Sequence, residues 1–287
     1  MLVAEGSPLF DALEPLAREA RLVFFAGLPG TGKSLLIHQL AHLAHGRGRS
    51  VHLLQWDVAR PVFEASRAGR RHPQVHGVTH GVIRLAVGRW AREAVARWHA
   101  RHSGLDHLLI GETPFIGHRL VALARPASDA AEPVLAAAST RFVIPVPSRA
   151  LREYLETERE RRAREPRHAR EREDAPPAVL RALWRELFDV AGTLGITAAR
   201  PAEEDVPYDP EIYRRVYERL LIRRHAAALA MDTRLPAEQR SAYDFAIPAV
   251  DVLPAEDEAS WHVEDTEARY PHAALLDIEL ADWYRIP

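Results

Sequence analysis

Eight residues, Gly27-Leu28-Pro29-Gly30-Thr31-Gly32-Lys33-Ser34, constrain this chain more than any other stretch. They follow residues 21–26, a short apolar run that reads as a buried strand, and precede residues 35–43, which are apolar at helical spacing. Glycines at such a strand-to-helix turn let successive backbone N–H groups point inward, and the start of the helix adds its positive end. The result is a cradle for phosphate oxygens, and the run fits G-x-x-x-x-G-K-[ST] in the structural context that this pattern requires. The residues expected to hold a nucleoside triphosphate are Gly27, Gly30, Thr31, Gly32, Lys33, Ser34 and Leu35. Lys33 is expected to reach the β and γ oxygens, and the Ser34 hydroxyl to ligate Mg²⁺.

Composition sharpens this reading. Of 38 basic side chains, Lys33 is the only lysine, and it lies where a compact, flexible point charge beside phosphates is called for. The formal charge of -2 divides unevenly: residues 248–287 carry -8 and the first 247 residues +6. A modestly basic body favours anionic ligands but falls short of a nucleic-acid signature. Cysteine is absent, which excludes disulfides, a Cys-ligated zinc site, an iron–sulfur cluster and a thiol nucleophile. No apolar run nears the roughly 20 residues of a membrane span, and the first twenty residues lack the basic start of a secretory signal, so a cytoplasmic location is expected.

Strand patterns at 21–26, 51–55, 106–110, 141–146 and 225–231 alternate with helical ones at 9–20, 35–43, 79–99, 128–138, 177–191 and 209–223. In the long helix, Ile83, Val87, Trp90, Ala94 and Trp98 recur at three- and four-residue spacing. Pro145 argues for the end of its strand rather than the centre. Residues 149–174 are charge-dense, with nine arginines and eight carboxylates, and Pro166 interrupts any single helix there. Residues 232–287 show no assignable topology. The pattern predicts an α/β fold, three layers about a mostly parallel sheet with helices on both faces. One domain is expected over 1–247, with an acidic C-terminal extension, 248–287, packed on it.

On residues 21–60, 106–119 and 159–172, less than a third of the chain, the sequence resembles the P-loop NTPases, and within them small-molecule and polynucleotide kinases. The resemblance implies a P-loop fold, ATP with Mg²⁺, and roles for several further residues. Asp57-Val58-Ala59-Arg60 reads D-x-x-R after the second strand; in such kinases the aspartate faces the acceptor hydroxyl and the arginine grips the acceptor's anionic group. The competing readings are a helix-capping aspartate and a surface salt bridge. Glu112 stands at the Walker B position, where it would hold the Mg²⁺ hydration shell or orient a nucleophile. Arg119 is a candidate for acceptor phosphate or carboxylate. The arginine-rich stretch resembles a kinase lid, in which Arg159, Arg162 or Arg167 would neutralise charge developing in transfer; as plain structure it is a solvated helix face laced with i,i+4 pairs.

Other chemistries fit poorly. A GTPase would carry an N-K-x-D motif, which needs a second lysine, and neither an LSGGQ-like helix nor a G-x-S-x-G elbow is present. The fifteen histidines show no metal-ligand spacing; His99 with His102, and His72 with His76, read as solvated helix or loop residues. Trp56 reads as a core or rim residue, or as a stacking surface for a planar acceptor. The expected activity is transfer of the γ-phosphoryl group to a hydroxyl of a small anionic or nucleoside-like acceptor. Two rivals stand beside it: a polynucleotide 5′-hydroxyl kinase acting on a nucleic-acid end, and a nucleotide-dependent ATPase switch or assembly factor.

Overall fold

A computed structural model describes residues 5–75, 77–166, 168, 175–198, 206–234 and 247–287. Six strands, β1 (Leu22–Ala26), β2 (Ser50–Leu54), β3 (His107–Thr113), β4 (Thr140–Pro147), β5 (Ala226–Met231) and β6 (Ala249–Asp251), form one sheet in the order β5-β4-β1-β3-β2-β6. Every pairing is parallel. All five residues of β1 are buried, because the sheet is covered on both faces and neither side of the pleat meets water. Leu22, Phe24 and Ala26 enter one apolar core, where Phe24 stacks on Phe142 at 5.1 Å, and Val23 and Phe25 enter the other.

The second face is covered by α1 (Pro8–Glu19) and α2 (Lys33–Gly46). The larger core on the first face receives α3 (Trp56–Ala65), α4 (Gly81–Arg101), the single turn α5 (Glu132–Leu135), α7 (Pro177–Thr193), α8 (Pro210–Leu220) and α9 (Glu256–Arg269). The α4 positions Ile83, Val87, Trp90, Ala94 and Trp98 are all buried, so the apolar spacing of this helix reflects a true core seam. Two further helices are α6 (Arg149–Arg164), which starts directly after β4, and α10 (Ala273–Ala281). Among the described residues no helix is long and apolar enough to cross a membrane.

Two local expectations need correction, and a third gains detail. Pro145 lies inside β4, which runs on to Pro147. By the strand alternation its missing N–H falls on the β1 side, beyond Val143, the last β4 residue that β1 pairs, so no ladder bond is lost. The helix expected over 128–138 shrinks to the four residues of α5, with Pro133 near its start. The acidic segment also contributes to the sheet itself: β6 pairs with β2, and α9 packs along α4.

Candidate functional site

Parallel strands bring their carboxyl ends to one edge of the sheet, the usual place for ligands in such folds. Here that edge carries a cavity of about 680 Å³, lined by the glycine loop, the starts of α2 and α3, the end of β3 and one side of α6. The loop between β1 and α2 takes its shape from its glycines. Gly30 and Gly32 have φ of 77° and 85°, the left-handed region that side chains avoid, and Gly32 is the N-cap of α2. At Gly27 the constraint is space: a β-carbon there would lie 2.2 Å from the Tyr213 hydroxyl.

Among the described residues, the amides from Gly30 to Ser34 donate to no main-chain carbonyl, while Leu35 and Leu36 close the first turn onto the Gly32 carbonyl. Five consecutive free amides at a helix start make a region of concentrated positive potential. Inside the loop, the Lys33 ammonium donates to the Leu28 carbonyl at 2.8 Å and the Thr31 hydroxyl donates to the same oxygen at 2.9 Å. Burial pulls the Lys33 ammonium down to about 8; Glu112 and Asp57 oppose that, and Arg159 and Arg152 add to it.

The predicted site residues converge on this cavity. Gly30, Gly32, Lys33, Ser34, Leu35, Asp57, Arg60, Glu112, Arg119, Arg159 and Arg162 all line it. Gly27 and Thr31 do not; they sit behind the loop and shape it, Thr31 being fully buried. Arg167 lies outside the described residues. Asp57 is the second residue of α3, so the end of β2 sends it directly to the cavity. Arg60, one turn on, donates to Glu64 at 2.6 Å and lines the wall, so the salt-bridge reading and the lining position hold together. Trp56 is also both: it belongs to the core and contributes an edge to the cavity.

Glu112 faces the loop from the carboxyl end of β3, in register with Phe25 of β1, and is largely buried. Arg119 follows in a tightly wound segment where Phe115, His118 and Leu120 hold φ of 59°, 69° and 61°. Three such residues in one short loop store strain of order 1–3 kcal/mol each, which the surroundings must hold in place. Arg119 itself donates to the Ile116 carbonyl at 2.9 Å. Its burial pulls the guanidinium below its ordinary value, against Glu186 and then Asp57. Burial also raises the Glu186 carboxyl, with Arg119 opposing.

Sequence reasoning missed Arg152, the residue that fastens α6 to the loop. Its guanidinium is almost wholly buried and donates to the Pro29 carbonyl at 3.0 Å and to Glu156 at 2.9 Å. Nothing in the arginine-rich stretch distinguishes it beforehand. Gln74 and Thr79, also on the wall, lie in segments of ordinary composition, and Tyr154 lies within the charge-dense stretch with nothing to single it out. Among the described residues, five basic side chains and three carboxylates line the cavity, a surplus of two positive charges.

The histidines depart furthest from expectation. His102, read as solvated, packs with His52 and His107 at ring-centroid distances of 4.6 and 4.2 Å. Burial, then His102 and His107, push His52 down to about 4. His72 is not a solvated loop residue either; its Nε2 meets Glu267 at 2.6 Å. His76 lies outside the described residues. The chain matches no protein-family model, no curated protein and no solved structure.

Proposed function

We propose that this chain is a P-loop phosphotransferase that moves the γ-phosphoryl group of ATP, with Mg²⁺, to a hydroxyl of a small anionic or nucleoside-like acceptor. The observation that carries this reading is the convergence of Lys33, Asp57, Glu112, Arg119, Arg159 and Arg162 on one cavity around a loop of free amides. The amides of residues 30–34 suit β and γ oxygens, and the left-handed glycines leave room for phosphates where side chains would stand. The Ser34 hydroxyl and the Glu112 carboxylate are hard oxygen donors of the kind that Mg²⁺ takes, usually with retained waters. When bound, Mg²⁺ would neutralise charge on the phosphates.

The remaining work falls to the chain. Lys33 exchanges the Leu28 carbonyl for phosphate oxygens, a short swing because the ammonium already lies inside the loop. Asp57 orients the acceptor hydroxyl and receives its proton as the new P–O bond forms. The bond from γ-phosphorus to the bridging oxygen breaks, and ADP leaves with that electron pair. Arg60 and Arg119 supply positive charge for the acceptor's anionic group. Arg159 and Arg162 meet the charge spread over the transferring phosphoryl oxygens, which gives α6 the part of an arginine-rich lid tied down at Arg152. The cavity reaches past the loop to Trp56, Gln74 and Thr79, which provides space for an acceptor beyond the phosphates.

A donor-consumption screen against nucleosides, sugars, other small hydroxyl compounds and 5′-hydroxyl oligonucleotides tests this. The expected result is an acceptor-dependent rate that falls at least 100-fold in Asp57→Asn, a scale typical of lost proton transfer and orientation, roughly 10²–10⁴. A rate stimulated only by oligonucleotide ends would move the acceptor class to nucleic acid. An unchanged basal hydrolysis with every compound would replace transfer with a nucleotide switch.

A further inference from the structure

We infer that His52, His102 and His107 form a three-histidine site for a borderline divalent transition metal, Zn²⁺ being the probe of choice, at the sheet edge opposite the glycine loop. The three side chains come from separate elements: His52 from the middle of β2, His107 from the first position of β3, and His102 from the C-cap of α4. One ring nitrogen from each lies within 4.8 Å of the other two. The closest pair, His52 Nε2 and His107 Nδ1, is 3.1 Å apart. Ligands at the usual Zn–N length of about 2.0–2.1 Å in a tetrahedron stand about 3.3–3.4 Å from one another, so this pair is already at bite distance.

The surroundings fit a metal better than a plain stack of rings. Asp106 Oδ2 is 3.4 Å from His107 Nε2, which places a carboxylate beside the ring nitrogen that faces away from His52. Trp98 packs edge-on to His52 at 5.6 Å and against His102 at 5.3 Å, walling the inner side. Arg21 donates to the His102 carbonyl and Arg49 to the His107 carbonyl, the latter at 2.8 Å, so the main chain under two of the ligands is pinned. His102 and His107 are half-buried, which leaves an outer side through which a fourth ligand, water or a small anion, would enter. Imidazole ligands suit Zn²⁺ and its neighbours and do not suit Mg²⁺ or Ca²⁺. From His107 to Thr113 is six residues of β3, about 20 Å, so this site is independent of the phosphate cavity.

The test uses the untagged full chain, stripped with chelator. Competition against a chromophoric chelator should reveal one Zn²⁺ equivalent, and Co²⁺ in its place should give the visible bands of a four-coordinate ion. His102→Ala removes the ligand whose loss disturbs the sheet least; it should keep the far-UV dichroism of the parent and lose Zn²⁺ affinity at least 100-fold. Absence of a saturable equivalent in the parent chain overturns the inference. So does the same equivalent in a folded His102→Ala, which would place the ion among other histidines. Glycine-loop substitution should leave the zinc equivalent intact, so a failed kinase reading would not mask the result.

Discussion

Lys33 faces two demands that pull against each other. Its position inside the loop strips water from the ammonium and lowers it to about 8, while the proposed contact with phosphate requires that it be charged. In the free protein the ammonium therefore begins to lose its proton near pH 8, whereas phosphate oxygens beside it would hold the proton on. Linkage then gives the sign: triphosphate binds with proton uptake above pH 8, and its Kd rises about tenfold per pH unit until the pKa of the complex is reached. Calorimetry from pH 7 to pH 10 should show that slope in the parent chain and a flat, weaker profile in Lys33→Met. An equal slope in both would assign the titration to another group.

Between elements, one carboxylate joins the guanidinium of α4 to that of the residue two before β5. Glu132 on α5 accepts from Arg224 at 2.7 and 3.0 Å and from Arg92 at 2.9 Å, and the Arg224 side chain is wholly inaccessible. Burial pushes the Glu132 carboxyl up, but hydrogen bonds from Arg224 and then Arg92 prevail and hold it at about 2. A carboxyl lowered by folding contributes fully above its unfolded value, near 4.3, and that contribution is lost as pH falls toward 2. Glu132→Gln removes the carboxylate charge that the inaccessible Arg224 faces, while Arg92 keeps Asp129, so it should destabilise the fold by about 1–3 kcal/mol at pH 7. Urea unfolding at pH 7 and pH 3 should show a large gap between variant and parent at the first and a smaller gap at the second.

Elements of this kind were legible in proportion to their hydrophobic regularity. Runs such as Leu22–Ala26 and the Ile83-to-Trp98 seam announce themselves because both sheet faces, and one helix face, exclude water. β6 and α9 did not, since three residues carry no period and α9 is half acidic outside its buried seam of Ala259, His262, Val263 and Thr266. Pro145 misled because a proline's cost depends on which neighbour its nitrogen faces, a matter of register rather than composition. At the site, the glycine loop could be read in advance because its chemistry is local. Arg152 and the histidine triad could not, because their meaning comes from distant residues, Pro29 for the first, and for the second His52 on β2, far along the chain from the other two rings.

Across the whole molecule, the parallel sheet separates two chemistries. Its carboxyl edge gathers free amides, one buried ammonium and arginines from α6 around a cavity sized for a nucleotide and more. Its amino edge gathers three imidazoles. The acidic C-terminal segment, through β6 and α9, braces the sheet along β2 and α4 rather than lining that cavity. Titration of the parent chain with the β,γ-imido analogue of ATP in the presence of Mg²⁺, followed calorimetrically, tests the proposed phosphate role of the glycine loop without turnover. One saturable site, weakened at least tenfold in a folded Lys33→Met, is the expected result; no heat of binding in the parent, or equal affinity in both proteins, would contradict it.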